Sequence, residues 1–325
     1  MSQFDDYSLS GCLIDRSADD APTLTSMGGA DPMQTMGASA PTLPPVVDLR
    51  RFCSAVEDQQ HTNSCVGNAV VGALELLQAK EGHSAHDLSR LFVYYNSRTL
   101  SGEPVADEGT TINFAMAAIL AHGICEERMW PFSEITINDR PTQACYANAQ
   151  HYRGVEFAEI AVGTPVTHVL AQGIPVVIGV GLPREAYNIA DATGTMDLPP
   201  GGGTAHQHGK HAMLIVGYNL ETKTYLVRNS WGPQFAQGGY FFMPMEIYQK
   251  AAIDGQSWAI GSLNKAPGLE LLGRSVPEAR DRMVARAQSA LQEAAQGQAA
   301  PAASEFEGRM QAARKGFASR LRGQD

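Results

Sequence analysis

The chain lacks any run of roughly 18 apolar residues, the length a helix needs to span a bilayer. Its opening residues, MSQFDDYSLSG, carry acidic groups where a secretory signal has a basic start and an apolar core. Both absences point to a soluble protein, cytoplasmic by sequence, with export by a route that needs no cleaved signal left open. Basic residues are also scarce, with 24 Lys and Arg against 34 Asp and Glu and a formal net charge of −10. Nucleic acid and anionic lipid attract clustered cationic side chains, so neither is an expected partner. Cysteine is limited to Cys12, Cys53, Cys65, Cys125 and Cys145, an odd number with no CxxC pair. That usage excludes a disulfide framework and suits a reducing compartment.

What is present is a chain of 325 residues, 44% apolar and 18% charged, long enough to bury a sizeable core. Residues 1–45 are rich in Ser, Thr, Gly, Ala, Met and Pro, show no helical or strand period, and end in PTLPP. They form an irregular leader. Residues 46–265 are densely patterned. In CVGNAVVGALELLQ, Val66, Ala69, Val70, Ala73, Leu74 and Leu77 recur at helical spacing, which predicts a helix starting at or just before Cys65. A second helical pattern, TINFAMAAILAHG, stops at Gly123.

Past about residue 149 the pattern shortens to strand-like runs: IPVVIGVGL, HAMLIVGYN, TYLVRNSW and GYFFM. A helical part followed by a β-rich part predicts an α+β protein of two lobes with a cleft between them. Residues 266–325 turn to Ala, Gln and Arg, with two helix starts at Ser275/Glu278 and Ser304/Glu307. The second tail helix would align Phe306, Met310, Phe317 and Leu321 on one face, a surface for docking on this protein or a partner.

A thiol at a helix N-terminus faces unpaired backbone N–H groups and the positive end of the macrodipole, both of which favour thiolate. Cys65 takes that position. Among nine histidines, only His211 opens a strand that returns through a short polar turn, LETK, as a second strand. Hairpin pairing then sets Asn229 beside His211. An amide there fixes the ring tautomer and leaves the other ring nitrogen for the thiol, the logic of nucleophile, base and orienter. Trp231 would cover that contact. Gln59, six residues before Cys65 in EDQQHTNSC, can supply an oxyanion donor together with the Cys65 amide.

These residues resemble a known family. VVDLRRFCSAVEDQQHTNSCVGNA is similar to the mature N-terminus of papain-like cysteine peptidases, and HAMLIVGYN and VRNSWG resemble the family's histidine and asparagine blocks. LSRLFVYYNSR, DEG at Asp107–Gly109 and GICEERMWPF are similar to bacterial members. The resemblance implies the two-lobed papain fold, cysteine peptidase activity of endopeptidase type on peptide or protein substrates, and no cofactor. By the same resemblance the roles of Gln59, Cys65, His211 and Asn229 carry over, and Gly109 lies where backbone pairs with an extended substrate. Thr62 stands where secreted relatives have a cystine, which suits a reducing home. The family's long helical propeptide is absent before residue 46, so the leader is expected to drape across the cleft as a short inhibitory segment.

Three alternatives remain on the residues alone. The same groups serve a thiol amidase, deamidase or acyltransferase. His206, His208 and His211 in HQHGKH could bind zinc, but no cysteine or carboxylate stands nearby, so no metal is expected. An inactive papain-like scaffold that only binds partners is the third.

Overall fold

A computed structural model of the chain describes residues 2–13, 43–82, 87–100, 105–152, 156–160, 166–201 and 209–261. The expected tail helices, His206 and His208 fall outside the described residues.

Seven helices and seven strands are present among the described residues. The helices are α1 (Cys65–Lys80), α2 (Arg90–Thr99), α3 (Ile112–His122), α4 (Gln143–Ala149), α5 (Val166–Ala171), α6 (Arg184–Thr193) and α7 (Met245–Ala251). The strands are β1 (Val46–Asp48), β2 (Glu156–Glu159), β3 (Val176–Gly181), β4 (Lys210–Asn219), β5 (Thr224–Arg228), β6 (Tyr240–Pro244) and β7 (Ala252–Gly261). The expected helix does start at Cys65. Its burial differs from an amphipathic pattern, because every residue from Cys65 to Gln78 is buried. A helix enclosed on all sides belongs to a core. Gly67 permits that enclosure, since a Cβ there would lie 2.8 Å from the Arg90 carbonyl oxygen of α2.

Local chemistry sets the other helix ends. The Ser89 and Thr111 side chains accept from the backbone N–H groups of Phe92 and Phe114, capping α2 and α3. Gly123, at φ 76°, ends α3 and donates its N–H to Ile119 O. Only glycine enters that region without steric cost.

The strands form one antiparallel sheet in the order β2-β7-β3-β4-β5-β6, with β1 added to β4. Successive side chains of a strand face opposite ways, and here both faces are covered. Val176, Ile178, Val180, Met213 and Ile215 enter one core with α6, α7 and the aromatic group Tyr187, Trp231 and Phe235. Val177, Ala212, Leu214 and Val216 enter the other core with α1 and α3. The near-continuous apolar runs of β3 and β4 have this cause. β1 was not expected as a strand: Val46–Asp48 pair with Gly217–Asn219, so the segment leading into the helical part is itself tied to the sheet.

Leu214 is 1% exposed in the core between the sheet and α1. Leu214→Ala is expected to destabilise the protein by about 2–5 kcal/mol in chemical denaturation. A loss well below 1 kcal/mol would show that this face does not hold the helix to the sheet.

Candidate active site

Cys65, His211, Asn229 and Gln59 come from four separate stretches and are all buried. Cys65 opens α1, where the first amides have no intrahelical acceptor. Its Sγ receives the Ala212 N–H at 3.4 Å, and the amides of Val66 and of Cys65 itself also face it. The nucleophile candidate thus sits against the residue next to His211, with the helix N-terminus on one side and the start of β4 on the other.

The β4–β5 hairpin brings the base and its orienter together. His211 Nε2 lies 2.8 Å from Asn229 Oδ1. The same oxygen accepts the Ser230 backbone N–H at 2.9 Å. A backbone N–H only donates, so the amide presents oxygen to both groups, and Nε2 must carry the proton. His211 Nδ1 is left as a lone-pair nitrogen, buried and without a hydrogen-bond partner among the described residues. Trp231 covers this contact, with ring centroids 5.2 Å from His211 and planes at 37°. Tyr187 meets the imidazole edge-on at 5.7 Å.

Gln59 is held on three sides. Its N–H donates to Ser230 O at 2.8 Å, its Oε1 accepts from Ser230 Oγ at 2.7 Å, and its Nε2 donates to Thr62 O at 2.9 Å. Thr62 returns a hydrogen bond to Gln59 O and meets Ser64 Oγ. Where a disulfide could have pinned this loop, a polar cluster does so.

The leader occupies the cleft. Gly11 lies so close to the nucleophile that a Cβ there would fall 2.7 Å from Cys65 Sγ. Thr110 N–H donates to Gly11 O at 3.0 Å, Leu13 N–H to Thr110 O at 2.8 Å, and Cys12 N–H to Lys210 O at 3.2 Å. The segment is therefore bonded through its backbone to both walls, with an isolated parallel bridge between Cys12 and Thr110. On one side of Cys65, Phe4 stacks on Trp231 at 6.0 Å and Tyr7 donates to Asp58 at 3.0 Å. Arg184 binds the carbonyl oxygens of Phe4, at 3.0 Å, and Tyr7. On the other side the Cys12 side chain is buried against Gly179 and Gln256. Gly109 does not itself pair with this strand; Thr110 does. Gly109, at φ 89°, supplies clearance, because a Cβ there would lie 2.6 Å from Gly11 O.

Enclosure sets the protonation states. Burial pushes the Cys65 thiol up to about 12, against the lowering effect of its three amide donors. Burial likewise lowers His211 to about 4, opposed by its Asn229 hydrogen bond and reinforced by Arg184. The covered pair is a neutral thiol and a neutral imidazole. All five cysteines are free thiols. Among the described residues no group of His, Cys, Asp or Glu could hold a metal, and no helix is long and apolar enough to cross a membrane.

Sequence reasoning named the four central residues but assigned nothing to Phe4, Tyr7, Gly11, Thr110, Arg184, Tyr187 or Ser230. Ser230 lay inside the VRNSWG block, and its role depends on a partner 171 residues away. The leader residues carry no periodic signal at all.

This arrangement is that of a two-lobed α+β thiol hydrolase, and the comparisons agree. The sequence model described as "Papain family cysteine protease" matches residues 43–260, so the chain belongs to the papain family of cysteine peptidases. It is 28% identical to an uncharacterized peptidase C1-like protein of Acanthamoeba polyphaga mimivirus over 66% of this chain and 74% of that one. It is 26% identical to cathepsin K of Gallus gallus over 65% of this chain and 61% of that one. Among solved structures it is similar to xylellain, a cysteine protease from the bacterium Xylella fastidiosa, with a TM-score of 0.67 and 27% identity over 79% of this chain and 97% of the other. Procathepsin L 3 of Tenebrio molitor, at 17% identity and a TM-score of 0.59, shares the fold.

Replacing Asn229 with Ala leaves the Ser230 N–H and the His211 Nε2–H buried without an acceptor. That change is expected to lower stability by about 1–3 kcal/mol and to release the ring tautomer. Denaturant unfolding together with NMR of the imidazole would read both. An unchanged Nε2–H signature would show that Asn229 does not orient the ring.

Proposed function

We propose that the chain is an endopeptidase that cleaves peptide bonds through a thioacyl-enzyme on Cys65, and that residues 2–13 hold it latent. The observation that carries the first half is the His211 imidazole, fixed by Asn229 at Nε2 with a free Nδ1, while the amide of the next residue, Ala212, donates to the sulfur of a cysteine at a helix N-terminus. The endopeptidase reading is supported by chain lying on both sides of Cys65, a turn carrying Phe4 and Tyr7 on one side and a backbone-bonded run through Cys12 and Leu13 on the other.

Catalysis begins once the leader departs and water returns. Relief of desolvation lets the Cys65 proton move to His211 Nδ1, giving thiolate and imidazolium. The thiolate attacks the substrate carbonyl carbon, and the oxyanion is stabilised by Gln59 Nε2 and the Cys65 amide. Imidazolium protonates the leaving nitrogen as the C–N bond breaks, forming a thioester. Water, giving its proton to neutral Nδ1, then attacks the thioester, and the acid product leaves with the thiol restored. A thiol deamidase would use the same groups, and release of ammonia from protein glutamine without peptide cleavage would favour it.

The leader is built to fill the groove rather than to react. Its Gly11 carbonyl is taken by the Thr110 amide, so it is not presented to the oxyanion donors. Glycine is required at that position by the sulfur and by the Asn63 backbone.

In a chain carrying Gly11→Val to displace the leader, Cys65→Ala is expected to abolish hydrolysis of fluorogenic peptides, and His211→Ala to reduce it by about 10²–10⁴. Retention of hydrolysis by Cys65→Ala sinks the peptidase reading. Gly11→Val is expected to expel the leader, raising peptidase activity at neutral pH and speeding epoxide labelling of Cys65. Unchanged labelling would remove the inhibitory role.

Latency should also depend on pH. His211 is depressed from an ordinary 6.5 to about 4 under the leader. Closure is therefore fully favoured above about pH 6.5 and weakens as pH falls toward 4, by up to tenfold per unit. Cys65, raised from 9.0 to about 12, makes closure weaken again at high pH, between those values. Stopped-flow labelling of Cys65 across pH should show leader opening promoted in mild acid. Gly11→Val should lose that feature.

A further inference from the structure

We propose that Arg184 is a carboxylate receptor on the leaving-group side of the groove, so that the enzyme prefers substrates carrying a carboxylate within about three residues past the scissile bond. The inference rests on the peptidase reading and gives it a substrate class.

Arg184 is the first residue of α6 and is half-buried. Its guanidinium lies over the Trp231 ring, 5.4 Å from the centroid, and Trp231 in turn covers His211 at 5.2 Å. In the proposed reaction His211 protonates the leaving nitrogen, so the departing part of the substrate runs along this wall. The guanidinium is within about 11 Å of the imidazole, the reach of about three extended residues.

The leader shows what this cation takes. One terminal nitrogen of Arg184 donates to Phe4 O at 3.0 Å and the other to Tyr7 O. The Tyr7 N–H closes the turn between them by donating to Phe4 O at 3.1 Å. Two oxygens side by side on the guanidinium fork are what a carboxylate presents, with a negative charge in addition. The start of α6 contributes the positive end of a helix macrodipole to the same corner.

None of the ion pairs among the described residues includes Arg184. The carboxylates whose charge reaches it are Asp5, Asp6 and Glu185, and two of these belong to the leader. Asp5 accepts from Asn188 Nδ2 of α6 at 3.2 Å. When the leader departs, Arg184 loses both carbonyl oxygens and both aspartates, and of the three carboxylates the exposed Glu185 alone stays. A substrate carboxylate replaces what the leader took away.

Recognition there also bears on the chemistry. Arg184 is a charge that disfavours protonated His211. A carboxylate seated on the guanidinium cancels that repulsion, so the preferred substrate favours the imidazolium that protonates its own leaving group.

The carboxylate has two sources, an acidic side chain or the free C-terminus of a short leaving piece, and two peptide sets distinguish them. One set carries Glu or Gln at each of the three positions after the bond and ends in an amide. The other ends two residues after the bond as a free acid or an amide. In the full chain carrying Gly11→Val, or Phe4→Ala as a second means of loosening the leader, kcat/KM is expected to be about tenfold higher for the carboxylate member of a pair. Arg184→Gln in the same background should bring the pair to within twofold while hydrolysis of the neutral member holds or rises. Arg184→Glu should favour Lys over Glu at the responsive position. Response in the first set alone assigns an acidic side chain, and response in the second alone assigns a C-terminal carboxylate. Equal rates within every pair, or a preference that survives Arg184→Gln, overturn the inference. Should no peptide be cut, the peptidase reading fails, and protection of Cys65 from iodoacetamide by the same pairs still decides for or against Arg184 as the receptor.

Discussion

Antiparallel pairing of β4 with β5 determines where every candidate catalytic group can lie. The register Leu214↔Arg228 and Asn219↔Thr224 carries the start of β4 toward the residues just past the end of β5. Alternation along β4 then commits Ala212, Leu214 and Val216 to the core that holds α1. Ala212 is the residue whose amide reaches Cys65, so the packing of the sheet on the helix and the seating of the nucleophile are one event. Each further tie follows the same segment: Arg228 binds Ser54 and Ala55 O, Asn229 binds the imidazole, and Ser230 binds Gln59. Ser54 in turn donates to the buried carboxyl of Glu75 on α1. A chain of polar contacts therefore runs from the strand to the middle of the nucleophile's own helix.

The same enclosure that builds the site holds its two central groups uncharged. Low dielectric penalises a thiolate–imidazolium pair unless its members find compensating donors. The three amides around Cys65 Sγ offset only part of the burial, and among the described residues the charge acting on His211 is a repelling Arg184. With Gly11 on the sulfur, both groups rest in their neutral forms. In the latency proposed above, the leader blocks access and removes the charged state that reaction needs.

Much of this was legible from local pattern. The start of α1 at Cys65, the end of α3 at Gly123 and the β4–β5 hairpin are each set by residues close together in sequence: an apolar period, a glycine, a polar turn. His211 and Asn229 could be paired because only a hairpin separates them. The contacts that stayed hidden join distant segments whose partners leave no periodic trace. β1 looks like a loop residue run until β4 offers it an edge. Gly11 is one glycine in a leader full of small residues, and its significance appears only when Cys65, Asn63 and Gly109 surround it. The DEG stretch was read as the place where Gly109 pairs with extended chain, but pairing falls on Thr110 because Gly109 is needed to let the two backbones approach.

For the proposed latency, Gly109 and Gly11 provide the clearance that lets the backbone of residues 2–13 approach the wall beside Cys65. A helical prosegment can bury apolar area remote from the cleft to secure its hold. Residues 2–13 bury Phe4 and Cys12, and their grip is completed by backbone hydrogen bonds to Thr110 and Lys210, two Arg184 contacts, the Tyr7–Asp58 hydrogen bond and the rings of Phe4 and Tyr7 against Trp231. Backbone bonds do not read sequence, so any extended peptide of suitable clearance competes for the same edges. In the proposed latency the leader's advantage is that it belongs to the same chain, so its binding is intramolecular. Such an inhibitor needs no high intrinsic affinity, and modest changes in the charge of the pair beneath it suffice to shift the balance toward substrate.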